Sequence, residues 1–116
     1  MEMAEQKKIN VLMVCAMGMS SSLIEAKTGE AAKKAGIPFE LKAIDTAELG
    51  RWDWEANRMD VVLIAPQVRF KKKSIEEAAG PLGSLVLNID TIAYGMIDGE
   101  AIFNQIIEAL KEAGRL

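Results

Sequence analysis

Histidine is absent from this chain of 116 residues, and cysteine occurs only once, at Cys15. Without histidine, neither a Cys-His catalytic pair nor a histidine-ligated metal site can form, so any imidazole in the chemistry must come from another molecule. A single thiol also excludes an internal disulfide and a C-x-x-C redox pair, a usage that fits a reducing compartment. We therefore expect a protein that works with no bound metal and no cofactor.

Excess positive charge and a long apolar run are missing as well. The net charge is −3 and the isoelectric point is near 5.0, which gives no reason to expect nucleic-acid binding. The stretch 9–24 is uncharged, but Asn10, Gly18 and three serines interrupt it, so it falls short of the ~20 apolar residues of a membrane span. Residues 1–8 lack the order of a signal peptide, and we expect a short mobile lead-in to one domain, 9–116.

Four short apolar runs predict four β-strands: 9–14, 39–44, 61–65 and 85–89. The first, third and fourth are almost continuously apolar, which is typical of parallel strands covered on both faces. The second alternates apolar and polar residues, so we expect an edge strand with one face toward water.

Helix signals alternate with these strands. Ser22 stands three residues before Glu25, a capping-box spacing, and this helix is expected to end at Gly36 with Pro38 just beyond. Further helices are predicted within 46–57, with Thr46 as the cap, and over 74–79. Alternating strands and helices predict a single doubly wound α/β domain with a parallel sheet.

The last helix has the clearest pattern. Asp98 is suited to cap it, and an apolar stripe follows on one face. The stripe consists of Ile102, Phe103, Ile106, Ala109, Leu110 and Ala113.

Cys15 lies where the first apolar run ends and a loop of small residues begins. This placement predicts a nucleophile at a strand-to-helix turn, at the carboxyl end of a strand, where open α/β sheets bind ligands. Successive backbone N–H groups and the following helix dipole would stabilise an anion there and lower the thiol pKa from its free value of ~8.5. The predicted phosphate-binding residues are Ala16, Met17, Gly18, Met19, Ser20, Ser21 and Ser22.

Three roles for Cys15 compete. It could be a structural cysteine in the core of a non-catalytic binding or signalling module. It could be a phosphatase nucleophile, but the position of the Cys-x5-Arg arginine is occupied by Ser21. A loop of amides and hydroxyls without a general base best suits a phosphoryl carrier, which must hold the group and pass it on without hydrolysis.

Three stretches resemble one family, the cytoplasmic IIB component of the lactose/cellobiose/chitobiose branch of the bacterial sugar phosphotransferase system. They are VCAMGMSSSL at 14–23, VVLIAPQVRF at 61–70, and Ile89-Asp90-Thr91 leading through Tyr94-Gly95 to Asp98-Gly99. The resemblance implies a flavodoxin-like three-layer sandwich with a phosphotyrosine-phosphatase-like loop and strand order 2-1-3-4. It assigns residues 9–116 to a single IIB domain. Ala16 and Ala65 depart from the family pattern.

The resemblance also implies a relay at the inner membrane. A IIA partner's phosphohistidine would give its phosphoryl group to Cys15, and the group would pass to a sugar, expected to be a disaccharide, entering through the membrane permease IIC. The protein would then be cytoplasmic and attached to the membrane only through IIC. The candidate partner contacts follow the third strand and are Gln67, Arg69, Lys71 and Lys72. A basic cluster in the same stretch, formed by Arg69, Lys71, Lys72 and Lys73, is either a solvated loop or a docking surface for an acidic partner.

Overall fold

The sheet of this protein has four parallel strands in the order β2-β1-β3-β4, as expected. The structure is a computed structural model that describes residues 7–16 and 20–116, and of Ser20 only the backbone. The strands are β1 (Ile9–Cys15), β2 (Phe39–Asp45), β3 (Val61–Ile64) and β4 (Leu85–Asn88). Each lies within one residue of its predicted bounds.

The alternating side chains of β1 divide the core into two layers. Ile9, Val11 and Met13 face a layer formed by the long helices, and Leu12 and Val14 face a second layer on the opposite side of the sheet. β1 pairs with β2 along one edge and with β3 along the other, and the two layers of side chains bury both of its faces. The domain is therefore a three-layer sandwich, as predicted.

Helices α1 (Ser20–Ala35) and α5 (Gly99–Glu112) form one outer layer and pack against each other. Gly36 ends α1 with a positive φ of 72°, as its place before Pro38 predicts. The carboxylate of Asp98 caps α5 by accepting a hydrogen bond from the backbone N–H of Ala101 at 3.0 Å. The predicted stripe is buried up to Leu110, but Ala113 is exposed because the helix ends at Glu112.

Gly99 brings α5 against the backbone of α1. A Cβ atom at this position would lie 2.3 Å from the carbonyl carbon of Lys27, which is shorter than any non-bonded contact allows. Glycine therefore sets the distance between the two helices at this crossing.

The other layer is built from short segments. They are α2 (Thr46–Leu49), a 3-10 helix (Pro66–Lys71), α3 (Lys72–Ala79) and a 3-10 turn (Gly80–Leu82). The helix predicted within 46–57 is confirmed, although it spans only four residues, and the predicted cap is wrong, since the N-cap is Asp45 instead of Thr46. The basic segment expected as a loop is helical, and α3 starts two residues before its predicted first residue.

One further prediction differs from the structure. The capping box is wrong, since Ser22 is the third residue of α1. The predicted coverage of β4 on both faces is confirmed, since Leu85 and Leu87 pack against one core layer and Val86 against the other, but as the second edge strand β4 is only half-buried. A short helix that the sequence patterns did not predict, α4 (Thr91–Met96), follows β4 and is capped by Asp90.

Most of the predicted mobile lead-in, residues 1–6, lies outside the described residues. Lys8 is described, and its ammonium group pairs with the Glu40 carboxylate at 2.6 Å. Over residues 7–16 and 20–116, every helix is too short or too polar to cross a membrane.

Candidate functional site

Cys15 is the last residue of β1, in the middle of the sheet's carboxyl edge. It is 4% exposed and packs with the core layer that contains Val14, Ile44 and Ile64. Its thiol donates a hydrogen bond to the backbone carbonyl of Ile44, with the sulfur and oxygen 3.4 Å apart. The strand-end position that the sequence predicts is confirmed.

A small polar cavity of about 180 Å³ opens beside the sulfur. Its lining comes from three elements that meet at this edge, the end of β1, the start of α1 and the turn from β2 into α2. The lining residues are Cys15, Ala16, Ser21, Ala43, Ile44, Asp45 and Glu48. The cavity combines a nucleophile, a hydroxyl and two carboxylates, so its chemistry is polar although the cysteine is buried.

The surroundings raise the pKa of the Cys15 thiol above its ordinary value. Burial is the main cause, and the nearby Asp45 and Glu25 carboxylates raise the pKa further, while a hydrogen bond with Ser21 lowers it. The sequence-based expectation of a lowered pKa is therefore wrong in direction. The physical reasons are the burial of the sulfur in the core and, after it, the negative charges that β2 and α1 bring to the sulfur.

The predicted phosphate-binding residues are only partly described. Ala16 and Ser21 line the cavity, and Ser22 is an exposed residue of α1. Met17, Gly18 and Met19 lie outside the described residues, as does the side chain of Ser20. The loop amides that would cradle a phosphoryl group thus stay a prediction.

Glu25 has a different partner from the one the capping box predicts. Its carboxylate accepts a hydrogen bond from the backbone N–H of Ala43 at 2.6 Å, which ties α1 to β2. Asp45 caps α2 by accepting from the N–H of Glu48 at 2.8 Å. Both carboxylates are therefore held in place beside the sulfur.

Tyr94, a residue of α4, is a neighbour of the site that sequence reasoning did not assign. Its side chain packs against both core layers, one of which contains Cys15. The pKa of Tyr94 is raised, first by burial and then by the charge of Cys15, while a hydrogen bond with Gln67 lowers it. The signal that could have found it is position, since Tyr94 follows β4 at the edge where Cys15 ends β1.

The basic cluster lies in the 3-10 helix and α3, outside the cavity lining. The guanidinium Nε of Arg69 donates to the carbonyl of Pro66 at 3.3 Å, and Lys72 pairs with Glu76 at 3.2 Å. Lys71 has its ammonium group 5.9 Å from the ring centre of Phe70, which is 74% exposed. Gln67 is therefore linked to the site by its hydrogen bond with Tyr94, whereas the cations lie on the surrounding surface.

Cavity size alone does not locate the site. A larger cavity of about 510 Å³ lies at the amino edge of the sheet, lined by residues that include Lys7, Asp60 and Arg115, and it contains no cysteine. Within the described ranges, no three His, Cys, Asp or Glu side chains are grouped to hold a metal ion.

A family model described as "PTS system, Lactose/Cellobiose specific IIB subunit" matches residues 10–105 of the chain. The chain belongs to this family. The matched stretch includes β1 with Cys15, all of the cavity lining, and the basic cluster. The family that the sequence motifs indicate is therefore confirmed for this IIB chain.

Related IIB components serve systems named for different sugars. The chain is 32% identical over 100 residues to the oligo-beta-mannoside-specific EIIB component of Bacillus subtilis, covering 86% of this chain and 94% of the relative. It is also 32% identical over 94 residues to the cellobiose-specific EIIB component of Lactococcus lactis, covering 79% and 87%.

Solved IIB structures share the fold. The solution structure of the cellobiose-specific phosphotransferase IIB component from Borrelia burgdorferi aligns with a TM-score of 0.68 and 37% identity, covering 91% of this chain and 94% of the other. The lactose-specific IIB domain from Streptococcus pneumoniae aligns with a TM-score of 0.74 over 88% and 97% of the two chains, at 18% identity, and supports the fold alone.

Proposed function

We propose that this IIB chain is a phosphoryl carrier that accepts the group on Cys15 and passes it to a sugar. One observation carries the proposal: the only cysteine of a IIB-family chain ends the central strand at a polar cavity on the carboxyl edge of the sheet. Ligands of open α/β sheets bind at this edge.

In the proposed turnover the sulfur has two roles. As a thiol it donates to the Ile44 carbonyl in the resting protein. As an acceptor it attacks the incoming phosphorus, and the phosphoryl oxygens are held by the Ser21 hydroxyl, which lines the cavity, and by the loop amides that the sequence predicts for this role.

The donor is a IIA protein carrying phosphohistidine. This chain has no histidine, so the imidazole of the donor must belong to another molecule. The thiol proton passes to the imidazole nitrogen as the P–N bond breaks and the S–P bond forms. The acceptor is a disaccharide hydroxyl presented by the membrane permease IIC, which would hold this domain, residues 9–116, at the cytoplasmic face of the inner membrane.

The basic cluster and Phe70 form the docking surface for the partners. Arg69, Lys71 and Lys72, with Gln67, lie immediately after β3 on the carboxyl edge, in a chain whose net charge is −3. A local positive surface on an acidic protein attracts an acidic partner surface and raises the rate of encounter.

Phosphorylation of the purified protein tests the proposal. With phosphoenolpyruvate and the upstream donor proteins, we expect one phosphoryl group on Cys15, and we expect Cys15→Ser to lose sugar phosphorylation. Ser21→Ala is the comparison variant, because it removes a hydroxyl that holds the phosphoryl group but leaves the nucleophile; we expect slower transfer with the phosphoryl group still on Cys15. A phosphoryl group on any residue other than Cys15 would refute the assignment.

The same preparation separates the two alternatives. A phosphatase would turn over an aryl phosphate such as p-nitrophenyl phosphate, whereas a carrier would not. A purely structural Cys15 would alkylate at the same rate with and without inorganic phosphate, whereas phosphate bound in a carrier's cavity would slow alkylation.

A further inference from the structure

The side of the Cys15 cavity formed by β2 carries negative charge. Cys15 and Asp45 are register partners at the ends of β1 and β2, and both line the cavity. The Ile44 carbonyl oxygen lies 3.4 Å from the sulfur. Glu25 reaches the same strand from α1 and binds the N–H of Ala43. We call this group, Ile44 carbonyl, Asp45 and Glu25, the acidic wall.

The two carboxylates of the acidic wall are fixed, and no cation among residues 7–16 and 20–116 forms an ion pair with either of them. Asp45 is held by the N–H of Glu48, and Glu25 by the N–H of Ala43. Over the described part of the chain, the ion pairs are Lys8 with Glu40 and Lys72 with Glu76, so neither wall carboxylate has one. Both therefore keep an uncompensated charge near the sulfur.

We propose that Asp45 and Glu25 raise the phosphoryl-transfer potential of Cys15 by destabilising the phosphorylated form relative to the free thiol. This inference rests on the proposed carrier function. A phosphocysteine carries about two negative charges near neutral pH, whereas the thiol carries none, so fixed carboxylates act against the first form only. Asp45 and Glu25 act only through their charge on the phosphocysteine, and neither forms a bond with the transferred group.

The acidic wall favours transfer of the phosphoryl group from Cys15 to the sugar. The S–P bond breaks as a bond forms between phosphorus and a sugar hydroxyl oxygen, and the hydroxyl proton passes, directly or through water, to the sulfur. The product is the neutral thiol, which regains its hydrogen bond to Ile44. The acidic wall repels the reactant and tolerates the product, so it drives the group away from the protein.

The titration of the resting thiol agrees with this arrangement. After burial, the charges of Asp45 and Glu25 are the causes that raise the Cys15 pKa, against the lowering effect of Ser21. The other titratable groups that face the sulfur are Glu48, which lines the cavity, and Tyr94.

Two substitutions remove charge and keep the hydrogen bonds. Asp45→Asn retains an oxygen that accepts from Glu48 and remains a good helix N-cap, and Glu25→Gln retains an oxygen for Ala43. Asp98→Asn is the matched control, because Asp98 also caps a helix but does not line the cavity.

Two measurements are made on each variant. The first is the pH dependence of Cys15 alkylation in the unphosphorylated protein, where we expect a lower thiol pKa in Asp45→Asn and in Glu25→Gln. The second is the ratio of phosphocysteine to thiol at equilibrium with phosphohistidine IIA, which we expect to rise by about threefold to tenfold per charge removed. Asp98→Asn should match the wild type in both.

The outcomes distinguish this inference from the function on which it rests. Failure of the wild type to form phosphocysteine would overturn the carrier function. An unchanged phosphocysteine ratio in both variants, with the wild type fully active, would overturn the acidic-wall inference alone. If Asp45→Asn does not fold, Glu25→Gln decides the question.

Discussion

At the residue scale, Cys15 shows what sequence can and cannot predict about a reactive group. Its place at the end of β1 follows from an apolar run that stops at a loop of small residues. Its protonation does not follow, because the burial that chiefly raises its pKa depends on packing, and the carboxylates that raise the pKa further come from α1 and from the end of β2. Only the pairing of β1 with β2 sets Cys15 opposite Asp45.

The raised pKa of Cys15 makes stability depend on pH. The folded state binds the thiol proton more tightly than the unfolded state, so its contribution is fully present below the unfolded pKa of about 8.5. It is lost as pH rises through the higher folded pKa. We expect the free energy of unfolding to fall less between about pH 7 and about pH 10 in Cys15→Ala than in the wild type, measured by urea denaturation.

The comparison needs one control, because the Tyr94 pKa is also raised in the folded protein and contributes with the same sign. Tyr94→Phe removes that contribution and should leave the Cys15 part of the slope unchanged. Equal slopes for the wild type and Cys15→Ala would contradict the prediction.

The buried hydroxyl of Thr28 lowers the stability of the folded state. Thr28 is fully buried in α1, and among the described residues its hydroxyl oxygen has no hydrogen-bond partner. Thr28→Val replaces the hydroxyl by a methyl group of similar size, so we expect the free energy of unfolding to rise by about 1 kcal/mol. Thr28→Ala is the matched comparison and should lower it, since it also leaves a cavity. A Thr28→Val protein less stable than the wild type would show that the hydroxyl is bonded.

At the element scale, the strands and α3 could be predicted, but the short extent of α2 and the presence of α4 could not. Runs of apolar residues fixed all four strands, and the alternation in 39–44 indicated the β2 edge. The segment 46–57 has too little apolar periodicity to continue α2 beyond Leu49. The basic segment after β3 is helical because Pro66 starts a 3-10 turn that runs into α3, and α3 buries Ile75 and Ala79 against the core.

Two glycines in neighbouring helices predict opposite effects of the same substitution. Gly99→Ala would drive a Cβ into the Lys27 backbone, so we expect a loss of several kcal/mol, roughly the range of severe overpacking. Gly29→Ala, in the interior of α1 with open space around it, should raise stability by about 0.5–1 kcal/mol. Both are measured by urea denaturation at neutral pH, and a tolerated Gly99→Ala would mean that α5 moves freely against α1.

At the scale of the whole molecule, the carboxyl edge of the sheet is electrically divided. Asp45 and Glu48 lie at the β2 side of Cys15, and Arg69, Lys71 and Lys72 follow β3 on the other side. The order of the strands therefore separates opposite charges that the net charge of −3 conceals.

This division predicts how charge reversal affects transfer from the donor. Lys71→Glu with Lys72→Glu should slow phosphoryl transfer from IIA by about tenfold or more at low salt, with a smaller difference at high salt. Lys33→Glu with Lys34→Glu is the matched control, because it makes the same change of charge at the opposite end of α1. Stopped-flow transfer rates measure the effect. Equal rates for both double variants at low salt would show that Lys71 and Lys72 belong to a solvated surface and do not dock the donor.

The sulfur and the cations lie on different elements, and this has a consequence for how such proteins diversify. The sulfur and its immediate neighbours sit on strand ends that the core holds rigidly, whereas the cations and Phe70 sit on a 3-10 helix and α3 with exposed outer faces. Substitutions on those outer faces leave the strand ends untouched. Under the proposed carrier function, a lineage would therefore exchange its donor and acceptor proteins by substitutions on these outer faces and keep the residues around the sulfur.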